Sequence, residues 1–430
     1  MRKLFRTALS IISISFLVSC NGNTPAETSD EFKPSLNTNT ECEITIVGSY
    51  DNFEALEAEF DRFNVYYPNV SLTYEKIDDY NNVIGSVLER EEKPNIFFSY
   101  TWMMGNSKYD SVIDHMENLS DSLLKLNLDC IRPGLLSHDS NNNVLMVPVF
   151  SRTYGTLVNE SLFKKENLKV PETRTELLNV CKSFSDKGYK SPMMGYTAKS
   201  SSCLMNTIAY PSFVAELANN PTALNLANNL DPSAGQYLRS SLEKVKALVD
   251  NGAIDVEECD KIADNYNKVI LRFFEGDVPM MVCAGDTVSG TKKRESQSEA
   301  FVASPFDYSF YPIPSTEKGG YFIDSPSIEF SINKRCDDLN MTHEFMRFLV
   351  STKELNNMAS LKRLVTPTKE MSFDSVYAPF GKIPQERTFS PEVIGIKDPL
   401  TAQVRIAALK VGRKTLTVDE AVAQYGTLRE

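Results

Sequence analysis

Val147–Pro171 reads V-P-V-F-S-R-T-Y-G-T-L-V-N-E-S-L-F-K-K-E-N-L-K-V-P, and its interpretation decides the architecture. Val144–Phe150 is an apolar run that arrives as a strand, in which Pro148 fits only at an edge or an end. Ser151-Arg152-Thr153-Tyr154-Gly155 is a polar bend carrying one aromatic. Thr156–Val158 is a second short strand that ends at Asn159. Leu162, Phe163 and Leu168 follow at near-helical spacing, with Glu160 early and Lys164 and Lys165 late, the order that the helix dipole favours. Pro171-Glu172-Thr173 stops this segment and starts the next helix. Two readings stay open on this stretch alone: an ordinary strand–helix unit within one domain, or the hinge of a two-lobed protein.

Outward from it, Glu43–Val47 is a β-branched strand, and Phe53, Leu56, Phe60 and Phe63 mark one face of a helix. Val70, Leu72 and Tyr74 alternate as a second strand, Tyr80–Glu89 fits a helix, and Asn95–Tyr100 is a third strand. This alternation argues for a parallel sheet with right-handed crossovers. In such sheets ligands sit beyond the carboxyl ends of the strands. Those ends hold Ser49, Tyr50 and Asp51, then Tyr100, Thr101 and Trp102. On the other side, helices are expected over Thr173–Lys187, Cys203–Leu217, Ala234–Val249 and Asp264–Phe274. A strand runs from Val278 towards Ala284-Gly285-Asp286-Thr287. Short strands are expected within Ser309–Pro314 and over Ile328–Ile332, and a helix over Thr342–Val350. A polar C-terminal third punctuated by prolines follows.

The 430 residues suffice for two or three cores. A net charge of −12 disfavours nucleic acid, whose binding rests on phosphate neutralisation by Lys and Arg. The one basic run, Lys292-Lys293-Arg294, reads as a solvated loop. Arg2, Lys3 and Arg6 precede an apolar Thr7–Val18 that is too short to span a bilayer. It ends in Leu17-Val18-Ser19-Cys20, which looks like a lipobox, so residues 1–19 are expected to be removed and Cys20 acylated as an anchor. Polar Asn21–Glu41 is expected to be a flexible tether. Cys42, Cys130, Cys181, Cys203, Cys259, Cys283 and Cys336 include no C-x-x-C, and only His115, His138 and His343 could complement them, which argues against zinc. They are expected to be small buried hydrophobes. No metal, cofactor or catalytic residue is expected. G-x-S-x-G and H-E-x-x-H are absent. Abundant carboxylates still leave a lipid-anchored secreted hydrolase as a competing reading. Tyr66-Tyr67 reads as packing rather than as iron ligands.

Several stretches, in order, resemble bacterial extracellular solute-binding protein family 1, the maltose-binding-like components of ABC importers. They are the lipobox, Ile44–Phe63, Asn95–Trp102, the hinge stretch with Val158-Asn159, Leu162-Phe163 and Pro171-x-Thr173, then Phe273–Met281, Phe310–Pro314 and Thr342–Ala359. The resemblance implies an α/β, two-lobed fold, each lobe a mainly parallel sheet flanked by helices, with a cleft between lobes. It implies crossings near Phe150-Ser151, Phe310-Tyr311 and Thr352-Lys353. Lobe 1 would then be residues 43–150 plus 311–352, and lobe 2 residues 151–310 plus 353–430. Carried over by position, the ligand residues are Ser49, Tyr50, Asp51, Tyr100, Trp102, Tyr154, Asp286, Thr287, Tyr321 and Asp324. The implied function is capture of a small solute, foremost a carbohydrate, by a monomeric lipid-anchored receptor outside the cytoplasm, and delivery to an ABC permease. The same fold could present ligand to a sensor kinase. One departure stands out: Cys283-Ala284-Gly285-Asp286 replaces the tryptophan that sugar-binding members often carry after the Phe273–Met281 segment.

Overall fold

The first sheet is built as the alternation requires. In the computed structural model, which describes residues 31–197, 204–262, 266–371 and 373–430, β1 (Cys42–Gly48) pairs in parallel with β2 (Val70–Lys76) and β3 (Ile96–Ser99). Helix Glu54–Asn64 connects β1 to β2 and buries Leu56, Phe60 and Phe63, with Phe53 at its N-cap also buried. Gly48 permits this packing, because a Cβ there would stand 2.5 Å from the Phe98 ring. The edge strand is β4 (Val147–Pro148), so Pro148 sits where its missing N–H does no harm.

From β4 the chain passes through β5 (Ser151–Arg152) into β6 (Tyr154–Asn159). Asn159 caps the next helix, Glu160–Lys165, by accepting from Leu162 N, and Thr173 and Glu176 form a capping box on Arg174–Asp186. β7 (Met193–Met194) pairs in parallel with β8 (Met280–Ala284). β6 lies between β8 and β9 (Tyr308–Tyr311), antiparallel to both. Helix Leu204–Ala218 is buried on nearly every side and lies in the core of this second body. β10 (Phe322–Ile323) and β11 (Ser325–Pro326) lead back to β12 (Glu329–Ile332), which enters the first sheet between β3 and β4. β13 (Thr388–Phe389) pairs with β10. Finally, helices Asp398–Gly412 and Val418–Ala423 pack on Leu204–Ala218 and Gly235–Asp250.

Both sheets are therefore mixed, where the sequence reading expects mainly parallel ones. The returning β12 runs antiparallel to β3 and β4, and β6 has two antiparallel neighbours. Residues 149–153 and 324–328 run between strands of different sheets, and Val365 bridges to Ser151 as a third segment beside them. Phe310-Tyr311 lies in β9, and Thr352-Lys353 opens helix Thr352–Lys362. Tyr311 still pairs with Thr156 in the second sheet, and helix Thr352–Lys362 packs on Glu54–Asn64 of the first body.

The leader and Cys20 lie outside the described residues. The end of the expected tether is not free. Ser35 donates from N and Oγ to the Glu344 carboxylate at 2.7 and 2.6 Å, and Leu36 N donates to the Tyr67 hydroxyl. Tyr67 is itself buried and stacked on Phe63, so the Tyr66-Tyr67 pair does serve packing. Cys203 is outside the described residues. The other six expected cysteines are free thiols, four of them buried. Among the described residues no helix is long and apolar enough to cross a membrane, and no group of His, Cys, Asp and Glu could hold a metal ion.

Candidate functional site

The three passages between the bodies are bonded to one another. Ser151-Arg152 pairs with Ser325-Pro326, Ser327 N donates to Phe150 O at 2.9 Å, and Ser151 N donates to Val365 O at 2.9 Å. Arg132 ties all three together. Its Nε and Nη2 donate to the two oxygens of Asp324 at 2.7 and 2.8 Å, Nη2 donates to Ser151 Oγ at 2.8 Å, and Nη1 donates to the carbonyls of Thr366 and Thr368 at 2.7 Å. Asp324, expected to face a ligand, is thus buried and fully engaged by Arg132.

Beyond the carboxyl end of β3 the ring of Tyr100 stacks on Trp102, centroids 5.2 Å apart and planes 14° from parallel, and Tyr109 closes the far side of the indole edge-on. Ser49 hydrogen-bonds the Tyr100 side chain, and burial raises that phenol above its ordinary range. From the second body Asp286 approaches the same place. Arg152 Nη1 donates to its Oδ2 at 2.5 Å, and Ser327 Oγ donates to its Oδ1 at 2.7 Å. Asp286 thereby joins the hinge strand, the second body and the start of the strand returning to the first. The charges of both Asp286 and Arg152 bear on Tyr100, so the aromatic pair and the ion pair share one neighbourhood.

Two carboxylates that the sequence reading passes over also belong here. Glu329 opens β12 opposite Ser99, at the carboxyl end of β3. It is 1% exposed, its Oε2 accepts from Thr101 Oγ1 at 3.0 Å, and its Oε1 has no partner. Burial pushes its carboxyl up to about 8. Glu392, in helix Pro391–Ile394, accepts from Ser390 and is pushed up to about 7 by burial, with Asp324 raising it and Arg152 lowering it. Glu329 carried a visible signal, a lone acid in the otherwise buried strand I-E-F-S-I. Arg152 stood in the polar bend. Arg132, Ser327 and Glu392 carried none.

The remaining expected residues divide. Tyr154 packs in the core of the second body, its ring edge-on to Tyr210, while the charges of Arg152, Asp286 and Glu392 still reach it. Thr287 is buried in helix Gly285–Ser289. The Tyr50 ring fits against Phe53 and Phe98 with Lys362 Nζ 4.9 Å above it. Asp51 is exposed and pairs with Lys76 at 2.9 Å, whose hydrogen bond lowers its carboxyl. Tyr321 stands in a different group, against Phe389 and near the charges of Arg387 and Glu216. Five of the ten, Ser49, Tyr100, Trp102, Tyr154 and Asp286, are thus brought into one neighbourhood. A small apolar depression beside Leu177, Ile208 and Ile313 shares no lining residue with the ten.

No curated protein matches the sequence. Among solved structures, RafE from Streptococcus pneumoniae in its apo form superposes with a TM-score of 0.66 at 16% identity, covering 91% of this chain and 98% of its own. The GacH receptor of Streptomyces glaucescens, solved unliganded and with acarbose, gives 0.65 at 16% identity over 90% and 97%. A chitin oligosaccharide binding protein gives 0.67 at 15% identity over 90% and 97%. These likenesses establish a two-lobed α/β binding-protein fold. The family model of bacterial extracellular solute-binding proteins matches residues 59–379, and the chain belongs to that family.

Proposed function

We propose that this protein captures a carbohydrate between its two bodies and hands it to an ABC importer. The observation that carries the reading is the Tyr100–Trp102 stack beside the Arg152–Asp286–Ser327 bridge. Flat aromatic faces suit the apolar faces of sugar rings, and a few fixed polar groups suit their hydroxyls. The solved structures it resembles include RafE in complex with raffinose and the GacH receptor in complex with acarbose, which supports the same ligand class. The lobes are taken as 42–149 plus 328–364 and 153–324 plus 366–430. The bonded passages between them act as the hinge about which ligand closes the bodies. Cys20 carries the lipid that keeps a monomeric receptor at the membrane outside the cytoplasm. Membership of a solute-binding family favours binding over catalysis.

A thermal-shift and calorimetric screen of neutral oligosaccharides, polyols, polyamines and sugar phosphates tests the reading. Ligand that binds only the folded state at about one hundred times its Kd adds about 2.7 kcal/mol. A shift with an oligosaccharide supports the proposal. Shifts confined to polyamines or phosphates, or no shift with any saccharide, overturn it.

A further inference from the structure

We propose that the solute carries a basic amine, as an amino sugar or aminated oligosaccharide does, and that Glu329 and Glu392 receive it. The inference rests on the carbohydrate reading above and deepens it.

Four carboxylates, Asp286, Asp324, Glu329 and Glu392, gather about two guanidiniums, Arg132 and Arg152. Asp324 is held bidentately by Arg132, and Asp286 is paired with Arg152. Among the described residues no ion pair reaches Glu329 or Glu392; the charge of Arg152 bears on Glu392 from a distance, and no cation is among the groups that shift Glu329. A buried carboxylate without a cation either takes a proton or waits for one to arrive. Glu329 is the second, independent sign. Its residue is 1% exposed, yet Oε1 accepts nothing, while Oε2 is held by Thr101, the residue between Tyr100 and Trp102. A sugar hydroxyl supplies one donor and leaves the carboxyls protonated, whereas an ammonium supplies up to three donors and the positive charge that lets them ionise. The stacked Tyr100 and Trp102 beside it also favour a cation over their faces. Arg152 has a buried Nε without an acceptor, which suits a hydroxyl on the same ligand.

The test uses matched pairs: oligomers of one to four residues of glucosamine and galactosamine, each against its N-acetyl counterpart, titrated into the purified protein by calorimetry at pH 7. The proposal expects the free amine to bind at least tenfold more tightly. Glu329→Gln and Glu392→Gln should each remove most of that preference, and circular dichroism with thermal melting reports that the variants fold. Equal or tighter binding of the N-acetyl partner overturns the amine proposal and leaves the carbohydrate reading standing. Binding of neither member of any pair, with no neutral oligosaccharide binding either, overturns both. If one variant does not fold, the other and the wild-type preference decide.

Discussion

Replacing Glu329 by Gln should flatten the pH dependence of stability. The carboxyl ordinarily titrates at 4.5 and is pushed up to about 8 by burial. Between those values the folded protein holds a proton that the unfolded chain has released. Stability from this group is therefore fully present below about 4.5 and declines as pH rises, until it is lost near 8. Each pH unit in the window is worth about 1.4 kcal/mol. Across the window the sum is on the order of 5 kcal/mol, an upper figure for a group that relaxation and water can reach. Gln has the same shape, can still accept from Thr101, and does not titrate. Urea unfolding of both proteins, followed by far-UV circular dichroism at each pH unit from 5 to 9, isolates the effect. Glu59, pushed up to about 8, contributes a slope common to both. The difference should be about 1 kcal/mol or less at pH 5 and should favour the variant by several kcal/mol at pH 9. Parallel curves, or a wild type that gains on the variant as pH rises, would refute the placement of Glu329 as a buried carboxylate without a cation.

Other perturbations follow from the same geometry. Asp324→Ala leaves Arg132 buried and unpaired at the junction of all three passages, and should destabilise the fold by about 3–5 kcal/mol, read by calorimetric melting. Asp324→Asn should cost less, because the amide oxygen can still accept one of the two bonds that Arg132 donates to Asp324. Gly155→Ala would bring a Cβ to within 2.4 Å of the Tyr311 carbonyl. It should lower stability by about 1–3 kcal/mol in urea unfolding, because β6 and β9 must separate to admit it. Trp102→Ala should weaken saccharide binding about tenfold or more in calorimetry, about 1.4 kcal/mol, with the melting temperature of the free protein little changed.

Local patterns were legible in the sequence and non-local pairings were not. Pro171-Glu172-Thr173 announced the next helix because a cap is decided within four residues. Pro148 marked an edge strand, and the polar bend Ser151–Tyr154 marked a passage between sheets, because both are properties of a few neighbouring residues. Phe310–Pro314 looked like a second passage because it is short and rich in proline. Its place in the second sheet depends on Leu157, far away in sequence. Asp324 looked available for the same reason, since its partner Arg132 lies 192 positions earlier. The C-terminal third read as polar, yet Leu400, Val404, Ala407, Ala408 and Val411 give helix Asp398–Gly412 a buried face of small residues that composition does not reveal.

Trp102 is the protein's only tryptophan and stands at the centre of the proposed site. Its emission during titration with the saccharide that shifts the melting temperature is therefore the most direct measurement. A saturable change with the calorimetric Kd, lost in Trp102→Phe while binding heat persists, is the predicted result. A saccharide that binds by calorimetry and leaves the Trp102 emission unchanged would contradict the site described between the two bodies.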